Sequence, residues 1–181
     1  MSLLDRLVRD GVLRPLDHAL AQTLRRLDTV AERDTPDAVL IGAALASRAV
    51  GDGHAAFDPA RVMRIADAPW PTDWESAWHG SPWIARPQPD EAAASAPLVL
   101  ERGLLYLRRY REYERRLAAA LRRIAAHALP PPDIAMLQPV LRALFPQARA
   151  DDAQALAAAR ALQRALLLVT GGPGTGKTTT I

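Results

Sequence analysis

At 181 residues and 19.7 kDa, with 49% hydrophobic and 24% charged residues, the chain has the composition of one folded domain plus the beginning of another, so disorder is excluded as the default. No run reaches the roughly 18 consecutive apolar residues of a membrane-spanning helix, Asp5 and Arg6 stand where a secretory leader would be apolar, and the lack of cysteine excludes disulfides, thiolate metal sites and cysteine nucleophiles. A cytoplasmic protein without a membrane partner is expected. The net charge is +3 and all but one of the 23 basic residues are arginine, but acidic residues nearly balance them, so basicity by itself argues little for nucleic acid.

In chain order, Leu3, Leu4, Leu7 and Val8 share a helical face, and Leu16, Leu20, Leu24 and Leu27 recur at helical spacing up to the break Asp34-Thr35-Pro36-Asp37. A third apolar helix is predicted over 38–50, ending at Gly51-Asp52-Gly53. Residues 67–89 hold all four tryptophans, Trp70, Trp74, Trp78 and Trp83, among prolines, and read as a short helix in irregular chain whose indoles anchor a core. Residues 97–107 read as a hairpin turning at Glu101-Arg102-Gly103, where glycine supplies the positive φ of a tight turn. From 108 to 128 an arginine-laced helix is predicted, with Tyr106, Tyr110, Tyr113 and Leu117 along one side; its arginines form a solvated or protein-docking face. After Pro130-Pro131-Pro132 another helix ends near Phe145-Pro146, and a new one opens at Asp151-Asp152. A domain boundary is expected there, giving an assembly domain over 1–148 and a second domain beginning at 149.

Residues 166–170, Leu-Leu-Leu-Val-Thr, resemble a buried parallel strand, and Gly171-Gly172-Pro173-Gly174-Thr175-Gly176-Lys177-Thr178 follows at once. This matches G-x-x-x-x-G-K-[ST] in full. Glycines let the backbone wrap phosphate oxygens, and loop amides point at the negative charge. Lys177, the only lysine of the chain, is expected on the β and γ phosphates, and the Thr178 hydroxyl on the nucleotide's magnesium. The motif alone leaves ATP hydrolysis, GTP hydrolysis and small-molecule phosphorylation open. Sixteen residues separate Gln154 from Gly171, and its side chain offers an amide donor and acceptor to an adenine edge, although taken alone such a residue is more often a solvent-facing one on a helix.

The stretch Gly-Gly-Pro-Gly-Thr-Gly-Lys-Thr-Thr-Thr at 171–180 resembles motif I of the superfamily 1 helicases of the RecD type, with Gln154 where their adenine-reading Q motif stands. Leu105-Tyr106-Leu107-Arg108-Arg109-Tyr110 with Tyr113-Glu114, and the segment from Ser47 to His54, are similar to the N-terminal domain of the same family, the alpha subunits of exodeoxyribonuclease V. The resemblance covers nearly the whole chain. It implies a mostly α N-terminal domain with a small β-hairpin, followed by the start of an α/β RecA-like P-loop domain over 149–181. It further implies ATP and Mg2+ as cofactors, the beta and gamma subunits as partners, and 5′-to-3′ movement on single-stranded DNA while duplex ends are unwound for recombinational repair. The family's nuclease centre belongs to the beta subunit, and no compact carboxylate cluster of that kind is evident here. The family's Walker B acid, transition-state arginine and second motor domain follow motif I. Because the sequence given ends at Ile181, these residues alone are expected neither to hydrolyse ATP nor to unwind DNA.

His18, His54, His79 and His127 lack a metal-ligand spacing, and Asp52, His54 and Asp58 are read as turn chemistry and not as acid-base machinery. Two other readings remain open: a docking module with a non-functional P-loop, and another P-loop ATPase of the chaperone or loader kind.

Overall fold

The computed structural model describes residues 2–92, 95–149, 152–174 and 176–177. Helix α1 (Leu3–Arg9) opens on a reciprocal cap: the Asp5 amide donates to Ser2 Oγ at 3.2 Å, while the Ser2 amide and hydroxyl donate to Asp5 Oδ2 at 3.1 and 2.8 Å. Leu4 and Leu7 are buried, and Leu3 and Val8 pack against the core beside them. Helix α2 (Pro15–Val30) carries proline at its first position, where the missing amide hydrogen is not needed.

Apart from Leu24, and with Leu20 only partly buried, the leucines whose spacing marks α2 do not form its buried side. Asp17, Ala21, Leu24 and Asp28 do, whereas Leu16 and Leu27 are 69% and 46% exposed. Two polar networks fix this rotation. Asp17 Oδ1 accepts from Arg14 Nη2 and from Ser47 Oγ, both at 2.7 Å, and Oδ2 accepts from the Arg14 amide at 2.9 Å and Nε at 3.0 Å. Asp28 Oδ1 accepts from Arg33 at 2.8 Å (Nε) and 2.7 Å (Nη2), while Oδ2 accepts from Trp83 Nε1 at 2.7 Å and from the Thr35 hydroxyl. Burial pushes both carboxyls up, but the hydrogen bonds from Arg14 and Ser47 to Asp17, and from Thr35, Trp83 and Arg33 to Asp28, outweigh it, and both lie below the usual carboxylate range.

Helix α3 (Asp37–Gly51) is apolar all round and buried from Val39 to Ser47, as expected of a helix packed on several sides. Helix α4 (Trp74–His79) is the short helix predicted among the tryptophans. Trp78 is 2% exposed, donates Nε1–H to the Ala38 carbonyl at 3.1 Å and meets the Phe57 ring edge-on at 6.4 Å. Trp70 is also buried, and Trp74 and Trp83 pack against the same core.

The predicted hairpin is the middle of a larger sheet. Strands β1 (Ala56–Phe57), β2 (Ile84–Ala85), β3 (Leu98–Glu101) and β4 (Leu104–Leu107) lie in the order β1-β4-β3-β2. The β3–β4 and β1–β4 pairs are antiparallel and β2–β3 is parallel. Both turn residues have positive φ, 52° at Arg102 and 77° at Gly103, the combination whose twist suits a two-residue hairpin. Two-residue strands such as β1 and β2 leave no alternation to read in the sequence.

Helix α5 (Arg108–Ala125) follows β4 directly. Its Arg111 is 2% exposed and satisfied on every side: Nε donates to Glu101 Oε2 at 2.8 Å, Nη1 to Glu112 Oε1 at 3.0 Å and to the Glu91 carbonyl, and Nη2 to the carbonyls of Gln88 and Pro89, each at 3.0 Å. One arginine thus pins the loop before β3 to the helix after β4.

The chain divides into two compact units, Met1–Arg116 and Leu117–Ile181, with α5 running from the first into the second. The second holds helices α6 (Ile134–Leu144) and α7 (Ala153–Ala161), capped by Asp133 and Asp152 and in contact with each other. The strand expected at 166–170 is not formed: this segment pairs with no strand among the described residues, and Leu168 is 71% exposed. An apolar run becomes a strand only when neighbouring backbone takes up its N–H and C=O groups, and among the described residues no strand does so here. The described residues from 152 onward therefore contain no RecA-like sheet.

Candidate nucleotide-binding site

The glycine-rich loop and Gln154 lie in the second unit, and local capping brings them together. Asp152 Oδ1 accepts from the amides of Gln154 and Ala155, both at 3.0 Å, which starts α7 with Gln154 in its first turn. From there the Gln154 side chain reaches the loop, Nε2 donating to the Gly176 carbonyl at 3.2 Å. Gly174 and Gly176 have φ of +76° and +72°, left-handed values that glycine adopts without strain. A side chain at Gly176 would also run into the Gln154 amide.

Lys177 folds back over the start of the loop. Its Nζ donates to the carbonyls of Gly171 at 2.7 Å and Gly172 at 2.6 Å. The ammonium is thus drawn to where the loop begins, with two neutral backbone carbonyls among its partners. Gly171, Gly172, Pro173 and Gly174 are exposed. Thr175 and Thr178 lie outside the described residues, so the magnesium contact expected of Thr178 has no geometry here. Glycines with positive φ, an ammonium at the loop mouth and an amide against the loop fit a nucleotide's phosphates and base in donor chemistry. The 22-residue separation of Gln154 from Gly176 is why sequence reasoning treats the glutamine as one surface residue among several.

The first unit has a separate cleft of about 520 Å³ between α3, the 3-10 helix Pro59–Arg64 and β4. Asp52, His54, Asp58, Tyr106 and Glu114 are among its lining residues. The carboxylates are committed to local work: Asp52 pairs with Arg48 at 3.4 Å, and Asp58 pairs with Arg61 at 3.1 Å and caps the Ala60 amide at 3.0 Å. Burial, reinforced by the carboxylates of Glu114 and Glu101, raises the Tyr106 phenol above its usual value and keeps it neutral. Among the described residues no group of three or more His, Asp or Glu is arranged to hold a metal ion. No described helix is long and apolar enough to cross a membrane.

Sequence reasoning missed Asp17, Asp28 and Arg111, the residues that hold the first unit's polar interior together. The available signal was positional. Asp17 and Asp28 fall at the same helical phase as Ala21 and Leu24, the buried side of α2.

A mostly helical domain with a small mixed sheet, followed in sequence by a complete G-x-x-x-x-G-K-[ST] loop, is the class these elements define. The family model for the RecBCD enzyme subunit RecD, N-terminal domain, matches residues 9–106. The chain belongs to that family. It is 36% identical over 178 residues to the RecBCD enzyme subunit RecD of Mycobacterium tuberculosis (strain ATCC 25618 / H37Rv), an alignment covering 94% of this chain and 28% of that protein. It is 35% identical over 187 residues to the RecBCD enzyme subunit RecD of Mycolicibacterium smegmatis, covering all of this chain and 30% of that one. The chain spans under a third of the length of the curated relatives it matches.

Proposed function

We propose that these residues serve a RecD-type subunit of an exodeoxyribonuclease V complex, an ATP-dependent 5′-to-3′ DNA helicase acting at double-strand breaks in recombinational repair. Residues 1–148 would form the domain that docks on the beta and gamma subunits in the cytoplasm, and residues 149–181 would open the ATPase domain. The observation that carries the reading is the family match over residues 9–106 together with an alignment to the Mycolicibacterium smegmatis RecD that covers the whole chain, the loop included.

In this reading Gly171, Gly172, Pro173, Gly174, Thr175 and Gly176 wrap the phosphates, Lys177 neutralises the β and γ oxygens, Thr178 ligates Mg2+ and Gln154 reads adenine. ATP, when bound, supplies the free energy that a motor needs to advance along DNA. What this chain's residues do is bind and orient: the loop amides fix the phosphates, and the ammonium of Lys177 leaves the carbonyls of Gly171 and Gly172 to meet them. The test is Lys177→Ala in the full-length subunit assembled with its partners. The expected result is assembly with unchanged yield and loss of ATP-dependent unwinding from a 5′-ended strand. Unwinding retained at the wild-type rate overturns the proposal.

A second reading describes the 181 residues on their own: a docking module whose loop does not turn over nucleotide. The lack, among the described residues, of any strand paired with 166–170 favours it for the isolated chain. Steady ATP hydrolysis by the purified 181 residues, lost on Lys177→Ala, would refute it.

A further inference from the structure

Helix α5 carries a pattern that neither the core nor the glycine-rich loop uses. At about 100° per residue, Tyr110, Tyr113, Leu117, Ala120 and Ile124 fall on one stripe at the a and d spacing of a heptad. Tyr113 is 55%, Leu117 59% and Ile124 42% exposed. Along one flank Arg109, Arg116 and Arg123 recur every seventh residue, all exposed, in a row with steps of about 10.5 Å. These are the g positions of the heptad. On the other side of the helix's first turns, Arg111 is buried and Glu114 lines the first unit's cleft.

We propose that this face of α5 takes an acidic amphipathic helix of a partner polypeptide, its apolar side chains packed on the Tyr113–Leu117–Ile124 stripe and its carboxylates opposite the arginine row. Charge complementarity selects this occupant. A nucleic acid backbone would use the arginines but leave the Leu117 and Ile124 surface wet, whereas a helix buries it. A second copy of the chain fits poorly. Antiparallel pairing sets one arginine row against the other, and parallel pairing answers Arg109 with Glu114 but Arg116 with Leu121. An anionic lipid surface calls for cations on both flanks of the apolar stripe, and only one flank has them. The inference deepens the docking part of the reading above and rests on it only in requiring an assembly; the nucleotide loop plays no part.

The experiment uses the full-length subunit in its own cells, with a photo-crosslinking phenylalanine analogue replacing Leu117, or Ala119 on the opposite face as control. Adducts are mapped by mass spectrometry. The expected adduct from position 117 is a helical segment of a different polypeptide with carboxylates at seven-residue spacing. Its yield should fall by roughly tenfold when Arg109→Glu, Arg116→Glu and Arg123→Glu are combined, and recover when the facing carboxylates are changed to arginine. Should the glutamate variant unfold, the corresponding three Arg→Gln changes carry the same test. An adduct within the same chain, to a second copy, to lipid or to a neutral segment overturns the inference, as does no adduct or one indifferent to charge. If the charge-reversed subunit still assembles at full yield, this inference falls and the docking reading stands; if the wild-type subunit assembles with no partner, both fall.

Discussion

Replacing Gly42 by alanine sets two effects of opposite sign against each other in the middle of α3. Helix propensity favours the change by about 1 kcal/mol, because alanine loses less backbone freedom than glycine on folding. Packing opposes it. A Cβ at position 42 would sit 2.9 Å from Trp78 Cζ2 and 3.0 Å from both Trp78 Nε1 and Leu105 Cδ2. Trp78 has little freedom to yield, since it is 2% exposed, hydrogen-bonded to the Ala38 carbonyl at 3.1 Å and edge-on to Phe57. Overpacking of a well-packed core costs about 1–3 kcal/mol, and the pinned indole puts this site toward the upper end. The net expectation is a loss of about 1–2 kcal/mol, or roughly 3–8 °C in Tm, read by calorimetry and by urea unfolding followed by far-UV circular dichroism. Two companions isolate the cause. Gly80→Ala, at φ −88° with nothing within 4 Å of the added Cβ, should be neutral or slightly stabilising. Trp78→Phe, which removes the obstructing part of the indole, should make Gly42→Ala less costly in the double variant than alone. If Gly42→Ala instead raises Tm as much as Gly80→Ala does, the argument from close packing at α3 is wrong.

Asp28→Ala removes the acceptor shared by Arg33, Thr35 and Trp83 and should destabilise by about 3 kcal/mol; Arg33→Ala, whose side chain is 49% exposed, should cost clearly less, both measured as shifts in urea midpoint. Because Asp17 and Asp28 titrate below their unfolded values in the folded chain, the stability they contribute is present above about pH 4 and lost as pH falls through their folded pKa values. Urea midpoints should therefore be level from neutral pH to about pH 5 and decline below about pH 4, and Asp28→Asn should flatten part of that decline; an unchanged profile in the variant contradicts the assignment. Gly176→Ala places a side chain at φ +72° and against the Gln154 amide, so it should weaken binding of a non-hydrolysable ATP analogue to the full-length subunit without lowering the Tm of the first unit. Equal affinity in titration calorimetry would count against a role for the loop.

Several features were legible in the residues because they are local. The Arg102-Gly103 turn and the apolar length of α3 each depend on residues a few positions apart, and their backbone preferences act whatever the rest of the chain does. The G-x-x-x-x-G-K-[ST] pattern is legible for the same reason: its residues are contiguous, and Gly174 and Gly176 take the positive φ that glycine adopts without strain.

Other features were decided only when distant segments met. Leucine spacing alone does not give the rotation of α2; it follows from Asp17 finding Ser47 thirty residues away and Asp28 finding Trp83 fifty-five residues away. The two-residue strands β1 and β2 exist because β3 and β4 offer free edges, not because their own residues favour extended chain. The apolar run at 166–170 is the converse case, with strand composition but no pairing strand among the described residues. Local sequence thus fixes turns and the conformation of the glycine-rich loop, because their energies close within a few residues. Which polar groups are buried, and which extended segments become sheet, depends on partners that only the folded chain supplies.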